Sequence, residues 1–270
     1  MTTIAIEDFC EDIVGKAMRG LRLSDQTLAP AAGVEAKAIE AVLEGKGDES
    51  TLRAIAPHFG LATDKLAASF HQRWHPQDHL VDGLFMSNTE YHDMRVNAYL
   101  AWDPVTKQGA MLDTGADASE LLDHAKKHGI TISHIFLTHT HNDHIQDLSR
   151  VRRAFPNANL HVGSREPLPE AQPVKPDDQF TINALTITAR LTWGHSKGGI
   201  TYVIDGLAKP IAVVGDAIFA GSMGGGMVSY NDALKTNREQ ILTLPKETIL
   251  CPGHGPLTSV EEELVHNPFF

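Results

Sequence analysis

The sequence is poor in cysteine and in basic residues. Its two cysteines, Cys10 and Cys251, cannot form the disulfide framework that stabilises small secreted domains. Its 23 lysines and arginines face 34 aspartates and glutamates, and the net charge of −11 argues against a generic binder of nucleic acids or anionic membranes. No apolar run approaches a membrane span, and the acidic N-terminus lacks the pattern of a signal peptide. We therefore expect a cytoplasmic protein.

Histidine, in contrast, is abundant, with 15 residues in 270. Four metal-binding side chains fall within the stretch Thr138-His139-Thr140-His141-Asn142-Asp143-His144, which follows an apolar run at 132–137 and precedes a helical period. A strand-to-helix turn of this kind can direct several side chains at one point, whereas a strand would alternate them. Three histidines and an aspartate are more ligands than one tetrahedral metal site would take from a single segment. The stretch therefore predicts a metal site that, with ligands from elsewhere, holds two metals.

Residues 1–72 show helical patterning without a strand signal and predict a small helical domain. Ser24 and Asp25 begin a short helix that Gly33 ends, and residues 34–43 form the next. Ser50 or Thr51 is expected to cap a further helix that ends at Gly60.

The run LAPAAGVEAKAIEAVLEGKGDESTLRAIAPHFGL resembles the lambda-repressor-like helix-turn-helix family. The resemblance implies a third helix that reads DNA. That helix carries Glu35, Glu40 and Glu44 against Lys37, whereas a major-groove reader needs hydrogen-bond donors and cations. We therefore expect a packing or dimerisation module, with a homo-oligomer formed through it, in preference to a nucleic acid partner.

After a linker at 70–83, residues 84–270 predict a second domain in which strands and helices alternate. Residues 107–109 are expected to form a hairpin turn, and one helix is expected from the turn at 138–144, which we call the metal turn, to about Phe155. His195, Asp216 and His254 each follow an apolar strand and have glycine neighbours. Strand ends along one edge of a sheet converge, so we expect these three residues to join the turn at 138–144.

The motifs THTHNDH, GHS, GD and PGHG, preceded by LDTG, resemble the metallo-β-lactamase superfamily over residues 84–270. The resemblance implies an α/β fold, an αββα sandwich with metals at one edge, preceded by the helix-turn-helix-like domain. It implies that His139, His141 and His195 bind one metal, that Asp143, His144 and His254 bind the other, and that Asp216 bridges them. It also implies that Asp113 is a buried support for the metal turn.

GDAIFAGSMG and GHGPLTSVEEELVHNPFF resemble the glyoxalase II-like thioester hydrolases of that superfamily. This implies a hydrolase that uses a metal-bound hydroxide on a small thioester or ester, or on a lactone, with two divalent metals. Zinc is the first expectation, and iron and manganese are alternatives. We expect Asp143 to act in catalysis by accepting a hydrogen bond from the nucleophile, and Lys197 and Tyr230 to hold a small-molecule substrate.

The sequence departs from that branch at two places in the metal domain. The run 222–227 lacks the arginine that follows this motif in relatives, and Lys197-Gly198-Gly199 replaces a Pro-Gly-Ser pattern. Only a short segment follows His254, where relatives carry a helical domain. These departures argue against glutathione as the thiol carrier. Two further hypotheses are a persulfide dioxygenase with one iron at His139, His195 and Asp216, and a regulator whose metal domain senses a ligand while the helical domain at 1–72 binds DNA.

Overall fold

The structure of the protein, a computed structural model, describes residues 4–72 and 74–270. It begins with five helices, α1 to α5, which we call the head. Their bounds are Cys10–Leu21, Asp25–Ala32, Ala36–Leu43, Glu49–Phe59 and Thr63–Phe70. Within the described residues, no helix has the length and apolar character that crossing a bilayer requires.

The ends of the head helices follow from local hydrogen bonding. The Ser24 hydroxyl accepts a hydrogen bond from the Thr27 amide at 3.3 Å, and Gly33 ends α2 in the left-handed conformation, as predicted. The prediction that Ser50 or Thr51 caps α4 is wrong. Asp48 is the cap, because its carboxylate accepts a hydrogen bond from the Thr51 amide at 2.8 Å.

The first β-sheet has six strands in sequence order, antiparallel from β1 to β3 and parallel from β3 to β6. Their bounds are Leu84–Tyr91, Met94–Trp102, Gln108–Leu112, Thr131–Leu137, Asn159–Gly163 and Gln172–Val174. The predicted hairpin turn at 107–109 is misplaced, since Gln108 and Gly109 belong to β3. The turn lies at 103–107 because the Asp103 carboxylate accepts hydrogen bonds from the Val105 amide and the Thr106 hydroxyl at 2.9 and 2.8 Å.

The second sheet has the order β12-β11-β10-β9-β8-β7, and only β10 and β11 in it are parallel among the described residues. Its strands in chain order are Gln179–Ile182, Leu185–Leu191, Ile200–Asp205, Ile211–Gly215, Ile249–Pro252 and Thr258–Ser259. The helices of this part, α6 to α10, are Ser119–His128, Asn142–Ile145, Leu148–Ala154, Tyr230–Thr236 and Val260–His266. A π-helical turn, Asn237–Ile241, continues α9.

The helix predicted to run from the metal turn to about Phe155 is divided into α7 and α8. Asp147, which precedes α8, directs its carboxylate to the Ala118 amide at 2.9 Å instead of along the helix. The division leaves α7 as a single turn that carries Asp143 and His144. The short α7 therefore holds these two side chains at the end of β4.

The two sheets pack face to face, with the aromatic rings of Phe136 and Tyr202 4.8 Å apart between them. Leu121 of α6 and Val151 of α8 cover the outer face of the first sheet, while Ile241 and Val260 cover that of the second. Each sheet therefore buries both faces, and the αββα sandwich expected from the sequence is confirmed.

The head packs against the sandwich. Its core includes Met223, Tyr230, Ala233 and Phe269 in addition to the apolar faces of its own helices. The Ala62 amide also donates a hydrogen bond to the Pro268 carbonyl oxygen at 2.8 Å. Burial of this apolar surface fixes the head on the side of the sandwich that bears the loop at 221–228.

Candidate metal centre

The predicted ligand residues form two adjacent groups at one end of the sandwich. In the first group His139, His141, His195 and Asp216 bring their ligand atoms within 4.8 Å of one another, and in the second Asp143, His144 and His254 do the same. Asp216 lies between the groups, because its carboxylate is 3.3 Å from His195 Nε2 and 3.2 Å from His144 Nε2. The seven side chains thus surround two neighbouring positions.

The groups are assembled from both sheets and not from one edge of a single sheet, as the sequence had led us to expect. The turn at 138–144 follows β4 of the first sheet, whereas His195, Asp216 and His254 follow β8, β10 and β11 of the second. Gly215 enters the left-handed region with φ of 51°, and a side chain there would stand 2.6 Å from the Thr138 hydroxyl oxygen. Glycine is required at this position so that the two sheets can meet at the site.

The imidazole rings are oriented by hydrogen bonds on their outer side. Nδ1 of His195 lies 2.9 Å from the Gly225 carbonyl oxygen, and Nδ1 of His254 lies 2.6 Å from that of Arg95. Nδ1 of His144 lies 2.8 Å from the Asp113 carboxylate. Because these oxygens only accept, each Nδ1 carries the proton and each Nε2 presents a lone pair to the centre, the form that binds a metal.

The imidazole nitrogens that face the centre outnumber the protons available to form hydrogen bonds between them. Nε2 of His139 and Nε2 of His195 lie 3.0 and 2.9 Å from Nδ1 of His141. The Thr138 hydroxyl donates to Asp113 and therefore accepts from His139 Nδ1, which leaves His139 Nε2 as a second lone pair. A single proton on His141 Nδ1 can serve only one of the two. A metal ion at this point would satisfy all three.

Two further observations fit metal ions. His144 Nε2 and Asp216 Oδ1 are buried and 3.2 Å apart, yet neither has a partner in hydrogen-bond geometry within the described residues. Unpaired buried polar atoms are costly, and ligation removes that cost. Gly253 lines the same space, where an added side-chain carbon would stand 2.1 Å from Asp216 Oδ1. The residues present fit a pair of divalent metals.

The protonation of the centre reflects its concentrated charge. Burial lowers the pKa of His144 and His254, but Asp216 and neighbouring carboxylates outweigh burial and raise these pKa values to about 10 and about 11. Burial alone would raise the pKa of Asp216, yet the imidazoles of His254, His144 and His195 hold it well below its ordinary value. The carboxylates therefore attract positive charge into the centre, which a metal supplies in exchange for protons.

Asp113 holds the metal turn in place through hydrogen bonds from Thr138 and His144. Its carboxylate accepts hydrogen bonds from the Thr138 amide and hydroxyl, both at 2.7 Å, in addition to the contact with His144. Asp113 is fully buried and adopts a φ of 57°, which is unfavourable for a residue with a side chain. The surrounding contacts hold it in that conformation, so it orients both the turn and one candidate ligand.

Glu166 is a residue of the site that sequence reasoning missed. One of its carboxylate oxygens accepts from the Thr140 amide at 2.9 Å and the Thr140 hydroxyl at 3.0 Å, and the other accepts from the Gly198 amide at 2.7 Å. It therefore joins the loops that carry His139, His141 and His195. Glu166 lies just beyond the end of β5, as the candidate ligands lie just beyond the ends of their strands. That position in the sequence could have identified it.

The two residues predicted to hold substrate lie in different surroundings. Lys197 is exposed on the loop after His195 and forms no ion pair within the described part of the chain. Tyr230 is buried in the core beneath the head, where its ring lies 6.4 Å from that of Phe269. Tyr230 thus packs where the head joins the sandwich, and its role in holding substrate stays a prediction.

Comparison with known proteins gives a family match. The model of the metallo-beta-lactamase superfamily matches residues 93–254, a range that includes all seven candidate ligands. A probable metallo-hydrolase of Streptococcus pyogenes is 29% identical over 187 residues, which cover 59% of this chain and 80% of that protein. Hydroxyacylglutathione hydrolase 2 of Vibrio vulnificus is 32% identical over 161 residues, which cover 59% of this chain and 62% of that enzyme.

Solved structures give the same result for the fold. The B3 metallo-beta-lactamase BLEG-1 aligns with a TM-score of 0.58 and 27% identity, covering 68% of this chain and 99% of that one. ETHE1 from Myxococcus xanthus aligns with a TM-score of 0.60 and 24% identity, covering 68% of this chain and 83% of that one. Both alignments leave about a third of this chain unmatched.

Proposed function

Because the chain belongs to the metallo-beta-lactamase superfamily, we propose that it is a binuclear metallohydrolase that cleaves a small thioester or ester. The observation that carries the proposal is the position of Asp216. Its carboxylate contacts His195 of one ligand group and His144 and His254 of the other, at 3.2 to 3.5 Å. A carboxylate between two complete sets of nitrogen and oxygen donors is suited to bridge two metals.

In this proposal His139, His141 and His195 hold one metal, and Asp143, His144 and His254 hold the other. Imidazole and carboxylate donors favour zinc, with iron and manganese as alternatives. The retention of the second set supports two metals over the single iron of a persulfide dioxygenase, which needs only His139, His195 and Asp216. The hydroxyacylglutathione hydrolases among the relatives support a thioester as substrate, and a lactone would present the same reacting carbonyl.

When bound, two such ions lower the pKa of a water molecule and polarise the substrate carbonyl. The chain's own residues then prepare the reaction. Asp143 Oδ2 lies 3.3 Å from His254 Nε2, and its carboxylate can accept a hydrogen bond from the attacking water. Asp113 and Glu166 keep the ligand loops in register, and the burial of Asp143, His144 and Asp216 excludes bulk water. Lys197 is a candidate contact for a substrate anion at the rim.

The first experiment is to measure metal content in protein purified without chelators or added metal, followed by hydrolysis of acyl thioesters, esters and lactones. We expect about two metals per chain and thioester hydrolysis that a chelator abolishes and added zinc restores. One iron per chain, with oxygen consumption in the presence of a persulfide, would replace this proposal with the dioxygenase.

A further inference from the structure

The segment before α1 lies directly against the loop that carries His254. A side-chain carbon added to Gly255 would stand 3.2 Å from the Glu7 amide nitrogen and 3.7 Å from the Ala5 carbonyl oxygen. His75 lies beyond the head in sequence, and its Nε2 is 2.8 Å from the Ile4 carbonyl oxygen, which fixes the other end of the segment. The segment before α1 therefore forms one wall beside the second ligand group.

A buried ion pair fixes this wall to the sandwich. Lys16 of α1 pairs with Asp8 and donates a hydrogen bond to the Met223 carbonyl oxygen at 2.9 Å. Its ammonium group also lies 4.9 Å from the ring centre of Phe219, and that ring contacts the ring of His254 edge-on at 5.4 Å. Asp8 neutralises Lys16, so this pair leaves no charge for a substrate.

Glu7, unlike Asp8, forms no ion pair within the described residues. It is half-buried beside Gly255, and its carboxylate accepts no hydrogen bond from the described residues. Burial raises the pKa of the Glu7 carboxyl, and the nearby charge of His254 opposes that rise. Glu7 thus brings a carboxylate to the loop that carries His254, and that carboxylate has no hydrogen-bond partner among the described residues.

We propose that Glu7 is a specificity-determining residue, which makes the enzyme select thioesters or esters with cationic or neutral substituents over those with anionic ones. This proposal rests on the proposed hydrolase function. A unit charge near the metal centre in a partly buried site changes the relative preference for cation and anion by about tenfold. The segment before α1 would then have a role in substrate choice in addition to packing.

The test compares acetyl thioesters whose thiols carry a cationic, a neutral or an anionic group at the same position of a two-carbon chain: thiocholine, N-acetylcysteamine and 3-mercaptopropionate. The variants are Glu7→Gln and, as a control with the same loss of charge, Glu35→Gln at the start of α3, where the side chain makes no capping hydrogen bond. We expect the wild-type protein to prefer the thiocholine ester. The ratio of kcat/KM for the cationic and anionic esters should fall about tenfold in Glu7→Gln and stay within about twofold in Glu35→Gln.

The acyl side is tested with the butyryl and succinyl thioesters of N-acetylcysteamine, because the field of Glu7 acts on both halves of a substrate. Unchanged charge preferences on both sides in Glu7→Gln, with the metal content of the wild type, would overturn the proposal. If the wild-type protein cleaves none of these esters, the hydrolase proposal fails, and the role of Glu7 is tested by binding instead. The Kd values of thiocholine and 3-mercaptopropionate are then measured on the metal-loaded protein, and their ratio should still change about tenfold in Glu7→Gln. An unchanged ratio overturns the role of Glu7.

Discussion

Within the described residues Glu166 forms no hydrogen bond with a candidate ligand, yet it joins two loops that carry three of them. Its carboxylate binds the Thr140 amide between His139 and His141, and the Gly198 amide in the loop after His195. Residues of this kind preserve the geometry of a site whose ligands come from separate strands. The charge of Glu166 also makes these hydrogen bonds stronger than those of a neutral acceptor.

We expect Glu166→Gln to lower metal affinity of the first ligand group about 10- to 100-fold. The amide nitrogen of glutamine donates and so cannot accept from Thr140 or Gly198. Chelator competition followed by metal analysis measures the two sites separately. Glu170→Gln is the control, because Glu170 is exposed and contacts only Arg152 at 3.0 Å. An equal loss at both sites would indicate general loosening of the fold instead of positioning.

Gly253 offers a test of the space between the two groups. Gly253→Ala would place a carbon 2.1 Å from Asp216 Oδ1 and 2.6 Å from His144 Cε1, so we expect metal binding to be lost while the protein remains folded. Gly225→Ala is the control in the same region, since the added carbon would meet only Met227, at 3.6 Å or beyond. Metal content and circular dichroism of both variants provide the measurement. Two metals per chain in Gly253→Ala would contradict this account of the site.

The candidate ligands could be predicted from the sequence because histidine and aspartate are distinctive at strand ends. The groups that orient the imidazole rings could not be predicted in this way. His195 and His254 donate to the backbone carbonyls of Gly225 and Arg95, and a carbonyl is present at every position of a chain. Only the fold decides which carbonyl faces which ring, so this part of the site had no sequence signal.

At the scale of elements, long apolar strands and glycine-ended helices were predictable, and short elements were not. β4, β9 and β10 are apolar over most of their length, whereas β12 has two residues and β6 has three. α10 was missed because Glu261, Glu262 and Glu263 make its first turn resemble a solvated segment. Glu263 is in fact fully buried, because the loop at Gly221 covers it.

Glu263 connects three elements through one carboxylate. It accepts hydrogen bonds from the Gly221 amide, the Thr258 hydroxyl of β12 and Asn267 at the end of α10, at 3.1, 2.8 and 2.7 Å. Burial raises its pKa from 4.5 to about 8, although these hydrogen bonds oppose the rise. Between these two values the folded protein holds a proton that the unfolded chain has lost. The contribution of Glu263 to stability therefore falls as pH rises through this window.

We expect Glu263→Gln, which cannot ionise, to gain stability relative to the wild type as the pH rises from 5 to 8. The upper limit of the slope is about 1.4 kcal/mol per pH unit. Thermal unfolding at several pH values at constant metal load measures the difference. Glu261→Gln changes an exposed residue of the same helix and should show no such trend. A constant difference in Tm between Glu263→Gln and the wild type would refute the buried proton.

At the scale of the whole molecule, the head and the sandwich share one core. Ile13, Leu28 and Leu66 of the head belong to the same apolar cluster as Met223 and Phe269. Separation of the two parts would expose that cluster to water, so we expect them to unfold together. The ion pair of Lys16 and Asp8 lies within this interface, with 13% and 7% of the side chains exposed.

We expect Asp8→Asn to destabilise the whole protein by about 3 to 5 kcal/mol, because it leaves the buried ammonium group of Lys16 without its anion. The double variant Asp8→Asn, Lys16→Met removes both charges and should recover most of that loss. Denaturant unfolding followed by circular dichroism gives both free energies. A double variant no more stable than the single one would show that the charge pair is not the source of the effect.

The shared core also sets an order of events during synthesis on the ribosome. Leu66 completes the head's own helices, but Phe269, which closes their core, is translated about 200 residues later. At about 5 to 20 residues per second this delay is on the order of 10 to 40 s. The head therefore waits for a residue about 200 positions further along the chain, and throughout that interval the apolar face that Phe269 covers is open to chaperones and proteases.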